Sequence, residues 1–181
     1  SKFQYHTHQP YTSNSFNNND EIRIPIQDQN IYTLPSQSFL YIEGKLLSQT
    51  DNKPSANLSF VNNGIALLFE NIRYELGGSV VIDSVRNPGI AGLMKGYISF
   101  TENESIRLSN AGWSPTQNQK LVDSKGNFNV CLPLRMLLGF AEDFQKILVN
   151  IKQELVLLRS SSDLNATHTK ANTEQPKVKN R

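Results

Sequence analysis

Glu21-Ile22-Arg23-Ile24-Pro25-Ile26, followed by Tyr32-Thr33-Leu34-Pro35-Ser36-Gln37-Ser38-Phe39-Leu40-Tyr41-Ile42-Glu43-Gly44, is the stretch from which the architecture of this chain can be worked outward. Ile22, Ile24 and Ile26 alternate with Glu21, Arg23 and Pro25, so one face of a short extended segment is apolar and the other is solvated or at a sheet edge. A turn containing Pro35 leads into a second strand over Ser38 to Leu47. There Leu40, Ile42 and Leu46 take one side, and Phe39, Tyr41, Glu43 and Lys45 the other. Two strands with one face each in the core are the entry to a β-sandwich.

The chain of 181 residues suits one domain with a sizeable core. Its 18 basic and 16 acidic side chains leave a formal charge of +2, which gives no general electrostatic case for nucleic acid or membrane partners. Hydrophobic content is 38%, and the deficit lies at the ends. Residues 1–20, with the run Asn17-Asn18-Asn19, read as a polar arm; residues 21–164 as one domain; residues 165–181 as a polar, basic tail or linker. Cys131 is the only cysteine, so no intramolecular disulfide forms. No signal peptide or membrane span is visible, and an intracellular site, cytoplasm or nucleus, is the expectation.

Between the ends, strand-like runs alternate with turn clusters. Asn57 to Val61 reads as a short strand closed by Asn62-Asn63-Gly64, and Ile65 to Phe69 as either a buried strand or a helical turn. Arg73 to Leu76 runs into the turn Gly77-Gly78, and β-branched Ser79 to Val85 follows as a strand. Asn87-Pro88 opens a short helix crossing the end of the sandwich, with Asn87 as cap and Ile90, Leu93, Met94 and Tyr97 on one face. Gly89, Gly92 and Gly96 weaken it. Residues 101–125 read as a long surface excursion pinned by Trp113. Phe128, Val130, Leu132 and Leu134 alternate with Asn127, Asn129, Cys131 and Pro133. Lys146 to Arg159 fits both periods, with helix slightly ahead on pattern alone. The whole predicts an all-β sandwich or barrel.

Catalytic chemistry is missing. His6 and His8 lie in the polar arm without nearby carboxylates, His168 is isolated in the tail, and the core holds no histidine, so no metal site or cofactor is expected. Alternation marks Cys131 as a small core or interface residue. Glu142-Asp143 read as a solvated turn, and Glu70, Glu75 and Asp83 as scattered strand-end charges. Gly77-Gly78 and Gly89-Ile90-Ala91-Gly92 lack the spacing of phosphate-binding loops. No catalytic, cofactor-binding or metal-binding residue is therefore predicted. Lys170, Lys177, Lys179 and Arg181 could touch nucleic acid through phosphates, with a solvated linker the stronger reading.

Taken in order, Glu21 to Ile26, Leu34 to Gly44, Phe60-Val-Asn-Asn-Gly64, Leu68 to Leu76, Asn87-Pro-Gly89, Phe128 to Leu134 and Gly139 to Asp143 resemble the N-terminal part of double jelly-roll major capsid proteins. The likeness is to those of polinton-like and adintovirus-like elements and their relatives in animal genomes. The resemblance implies an antiparallel, eight-stranded jelly roll in two sheets, with one or two short helices in the connections. It also implies that Lys146 to Arg159 is a strand. Function would then be structural and non-enzymatic: self-assembly through sheet and loop surfaces, with itself or a second jelly-roll domain as partner, a trimeric capsomer as product and the virion as location. Only one set of strands is visible, so the chain reads as a fragment or as a shortened, host-retained relic. The alternative is a carbohydrate-binding-like β-sandwich, for which Tyr41, Tyr74, Tyr97 and Trp113 are the candidate aromatics.

Overall fold

The computed structural model describes residues 3–11, 15–26, 32–116, 121–170 and 174–180. In chain order the elements are β1 (Glu21–Ile26), β2 (Tyr32–Thr33), β3 (Phe39–Ser48), β4 (Leu58–Phe60), α1 (Gly64–Leu67), β5 (Phe69–Leu76), β6 (Val80–Arg86), α2 (Pro88–Ser99) and α3 (Glu102–Arg107). They continue with β7 (Asn127–Pro133), α4 (Leu134–Leu137), α5 (Gly139–Asp143), β8 (Leu148–Val149), β9 (Gln153–Arg159), β10 (Thr167–Thr169) and β11 (Pro176–Asn180). Two antiparallel sheets carry the fold, one ordered β1-β9-β5-β6 and the other β11-β3-β7; β4 pairs β10 and β2 pairs β8. The class is all-β, as expected. Instead of eight strands there are eleven among the described residues, because short two- and three-residue pairs close the connections, and the helices number five rather than one or two.

Period-two alternation places the core between the sheets. Ile22 lies opposite Leu157 and Ile24 opposite Leu155, while Ile72 and Tyr74 meet the same two residues from the other side. Leu40, Ile42, Leu46, Val130, Leu132 and Val178 face them from the second sheet in one continuous apolar cluster. Each such fully buried side chain contributes roughly 1.5–3 kcal/mol. Gly44 lets β11 come close: a Cβ there would stand 2.3 Å from the Lys179 carbonyl oxygen.

Several expectations are corrected. The described part of 165–181 is not a free tail, since β10 pairs β4 and β11 adds to the edge of β3, with Val178 in the core. Nor is 1–20 a loose arm throughout: Phe16 is buried and its amide donates to the Asn180 carbonyl at 3.2 Å. One apolar residue among asparagines is enough to anchor that end. Ile65 to Phe69 resolves into α1 followed by the start of β5. Within 101–125, α3 forms under a capping box between Thr101 and Glu104, and Trp113 is 1% exposed; residues 117–120 fall outside the described set.

A buried ion pair ties these pieces together. Arg159 sits at an inward position of β9 and is fully buried. Its Nη2 donates to Asp163 Oδ1 at 2.8 Å and its Nη1 to the Leu68 carbonyl at 2.7 Å. Asp163 Oδ2 accepts the Val178 amide at 2.8 Å, and Asn18 Nδ2 donates to Oδ1 at 3.1 Å. One carboxylate thus joins β9, β11 and the segment before β1.

Candidate assembly surface

An amphipathic helix ordinarily turns its apolar stripe inward. In α2 the stripe faces out. Pro88 stands at the first helical position, and Asn87 occupies the cap position with φ 49° and no side-chain cap bond. Gly89, Gly92 and Gly96 form the buried face. Cβ atoms there would meet the Leu67 side chain at 2.6 Å, Asn63 Nδ2 at 2.9 Å and the Trp113 ring at 2.1 Å. With no side chains in the way the helix backbone lies directly on α1 and Trp113, and bulk on this face is excluded. Apart from Leu93, which packs against the core, the apolar residues are left on the opposite side, with Ile90 51%, Met94 63%, Tyr97 62% and Ile98 84% exposed.

That face is held firmly. Asn62 Nδ2 donates to the Tyr97 hydroxyl at 2.9 Å, and the Tyr97 and Phe100 rings lie 5.3 and 5.2 Å from Trp113. Trp113 Nε1 in turn donates to Ser105 Oγ at 3.1 Å. Lys95, beside the ridge, is paired with Glu142 of α5. The glycine spacing of i, i+3 and i+7 was the signal in the sequence for an inward face made of backbone.

The outer face of the four-stranded sheet is charged. Glu75 and Glu154 lie directly opposite each other and are buried. Like charges in that position are destabilising. Arg73 Nε meets Glu75 at 2.7 Å, and Arg23 Nη1 lies 3.5 Å from Glu154 and 3.8 Å from Glu75. The hydrogen bond from Arg23 to Glu21 raises the Arg23 pKa, with Glu154 and Glu75 adding to it. The two carboxylates are therefore clamped by guanidinium groups rather than arranged as an acid and a base. At the edge of this sheet, β6 exposes Val80, Val81 and Ile82.

The outer face of the three-stranded sheet changes character along its length. At one end Phe39 and Tyr41 are exposed, with the Tyr5 ring 6.0 Å from Phe39. At the other, Lys179 lies opposite Lys45, with Lys177 along the same strand. Cys131, opposite Tyr41, is exposed rather than in the core. Partial burial still raises its thiol pKa. The folded protein should therefore be labelled fully by a maleimide without denaturant, with a rate that climbs through a midpoint above the usual ~8.5. Protection until unfolding, or a midpoint well below that value, would contradict this placement.

The remaining residues singled out from sequence do not converge. His168 is on β10, while His6 and His8 are in the segment 3–11. Asp83 Oδ2 accepts the Phe140 amide at 2.8 Å and so fastens the start of α5 to β6. Glu70 and Asp143 are exposed, and Gly77 and Gly78 make the hairpin turn with positive φ. Tyr74 and Trp113 are buried, Tyr41 is on β3 and Tyr97 on α2, so the expected aromatic platform is not assembled. Lys177 and Lys179 belong to a paired strand; Arg181 lies outside the described residues. Among the described residues no group of three or more His, Cys, Asp and Glu could hold a metal ion. Nor is any helix there long and apolar enough to cross a membrane.

Comparison with known proteins adds the following. Residues 58–181 match the family described as double jelly roll-like domain. No curated protein matches the chain. Among solved structures, the chain is similar to VP54 of PBCV-1, fitted into a cryo-EM reconstruction of the virophage Sputnik. The two are 14% identical with a TM-score of 0.45, and the alignment covers 99% of this chain and 42% of that one. A structure of the PBCV-1 virus capsid gives 13% identity and a TM-score of 0.46 with the same coverage. The chain spans less than half the length of these structures.

Proposed function

We propose that this chain, which belongs to the double jelly-roll-like domain family, is a structural, capsid-type subunit that works by association through its surfaces and not through a reaction centre. The observation that carries the reading is the distribution of exposed apolar side chains. Three groups of them lie on separate outer surfaces, the α2 ridge, the β6 edge at Val80 to Ile82, and Phe39 with Tyr41 on β3, and others such as Tyr32, Ile106, Ile147 and Leu164 are scattered between. A small-molecule site gathers its apolar and polar groups into one concavity. A shell subunit needs several contact faces at once, and large exposed apolar patches are uncommon on monomers. A second copy and a second jelly-roll body are the partners in this reading, and a virion is the place of action.

Light scattering and sedimentation of the purified chain test it. The expected result is a mass above the monomer that rises with protein concentration and persists in high salt, because the contact faces are apolar. A strict monomer over the whole concentration range would overturn self-association by this chain.

A further inference from the structure

The outer face of the three-stranded sheet combines unpaired positive charge with exposed aromatic rings. Lys45 of β3 lies directly opposite Lys179 of β11, and Lys177 follows on the same side of β11. Lys45 and Lys179 are exposed and Lys177 is half-buried. Like charges in opposed positions are destabilising, and among the described residues none of the three lysines has a carboxylate partner to offset the repulsion. At the other end of the face Phe39 and Tyr41 are exposed on β3, and Tyr5 and Phe3 extend the row, with ring centroids 6.0 Å from Tyr5 to Phe39 and 5.1 Å from Phe3 to Tyr5. Along the β7 edge, Tyr41, Asn129, Asn110 and Ser109 line an open cleft beside Cys131. Asn110 and Asn129 are exposed, and their amides offer both donors and acceptors. From Phe39 to Lys45 the face runs roughly 20 Å at the rise of an extended strand, room for several nucleotides.

We propose that this face binds single-stranded nucleic acid, with phosphates at Lys45, Lys177 and Lys179 and bases stacked on Tyr41 and Phe39. The two halves together identify the occupant. Lysines alone would suit any polyanion, and exposed rings alone any apolar partner. A ligand that repeats anionic groups along its length and presents a planar ring beside each is a nucleic acid strand, and its rings are free to stack only where they are unpaired. The asparagine amides of the cleft supply hydrogen bonds to the edge of a base seated on Tyr41. The formal charge of +2 over the whole chain is no obstacle, because each lysine acts on phosphates within a Debye length of about 8–10 Å. Glu43 stands between the two halves, its carboxylate accepting the Tyr41 hydroxyl at 3.3 Å. Its charge opposes phosphate at that point, so the strand binds in spite of it. Binding by this face does not require the chain to associate with itself.

Fluorescence anisotropy of a labelled oligodeoxythymidylate of about 20 nucleotides, titrated with the full chain, tests the proposal. The protein is used at concentrations where sedimentation shows one species, so strand binding and self-association are read separately. With phosphates at Lys45, Lys177 and Lys179, log K should fall against log salt with a slope of about −2, a loss of about twentyfold between ~50 and ~200 mM salt. Lys45→Gln/Lys179→Gln should bring the slope to about −0.7. Tyr41→Ala should weaken binding about five- to hundredfold at an unchanged slope, and Tyr41→Phe should retain it, because the ring takes the base. Glu43→Gln should tighten binding. Lys152→Gln, beside the turn between β5 and β6, should leave it unchanged. Circular dichroism confirms that each variant is folded. Absence of binding at low salt overturns the proposal, as does binding that neither the lysine pair nor Tyr41→Ala weakens. Equal affinity for a duplex of the same length, or displacement by poly-L-glutamate at matched charge, assigns the lysines to another polyanion and overturns the stacked strand.

Discussion

Replacing Asp163 by alanine should cost about 3–5 kcal/mol of folding stability, the range for removing one partner of a buried ion pair. Arg159 is fully buried, and Asp163 is the one acidic group paired with it among the described residues. Without the carboxylate the guanidinium keeps only the Leu68 carbonyl, the Val178 amide loses its acceptor, and Asn18 keeps only the Ser160 carbonyl. Domains of this size hold roughly 5–15 kcal/mol in total, so the loss is a large fraction of the whole. Urea titration gives the measurement: the midpoint should fall sharply at an unchanged slope. Asp163→Asn retains acceptor capacity and should fall less. A midpoint for Asp163→Ala within ~0.5 kcal/mol of wild type, the ordinary range for surface changes, would show that the pair is not a structural joint.

The second large effect concerns Trp113 and the helix that rests on it. Trp113→Ala should cost about 3–5 kcal/mol, because the ring is buried and the space beside α2 cannot collapse fully. Gly96 gives a sharper test. Alanine is the better helix former by about 1 kcal/mol, yet its Cβ would fall 2.1 Å from Trp113 Cη2. Gly96→Ala should therefore destabilise the wild-type protein by ~1–3 kcal/mol through overpacking. In the Trp113→Ala background the obstacle is gone, and the same change should become neutral or stabilising. A cycle in which Gly96→Ala has the same effect in both backgrounds would contradict the contact.

What could be read from the sequence was set by how local the physical signal is. Ile22, Ile24 and Ile26, then Leu40 and Ile42, then Phe128, Val130 and Leu132 recur at every second position, and all eight contribute to the core. β11 gave no such signal. Val178 is its only residue in the apolar core cluster, and the strand owes its place to backbone pairing with β3 and to the bond from its amide to Asp163. Those interactions depend on residues far away in the chain, so composition suggested a tail. Arg159 and Asp163 were hidden for a related reason. A charge at an inward strand position after Leu155 and Leu157 is a cue, but its meaning needs Leu68 and Val178 in place. The α2 face inverted because a helix sits closest to its neighbour on its glycine side, and the apolar stripe alone does not report that.

The pairing scheme also sets an order of events. Ile22 must find Leu157 and Leu46 must find Val178 before either main sheet has its edge strand. Contacts between such distant residues close late, after the loop entropy between them has been overcome, which places folding toward the slow, millisecond-to-second end for domains of this kind. Until then β3 and β9 each lack a hydrogen-bonded neighbour, and the α2 ridge is already apolar and available. The vulnerable interval for this chain is therefore its own maturation, when unfinished sheets and a ready adhesive helix coexist in the same molecule.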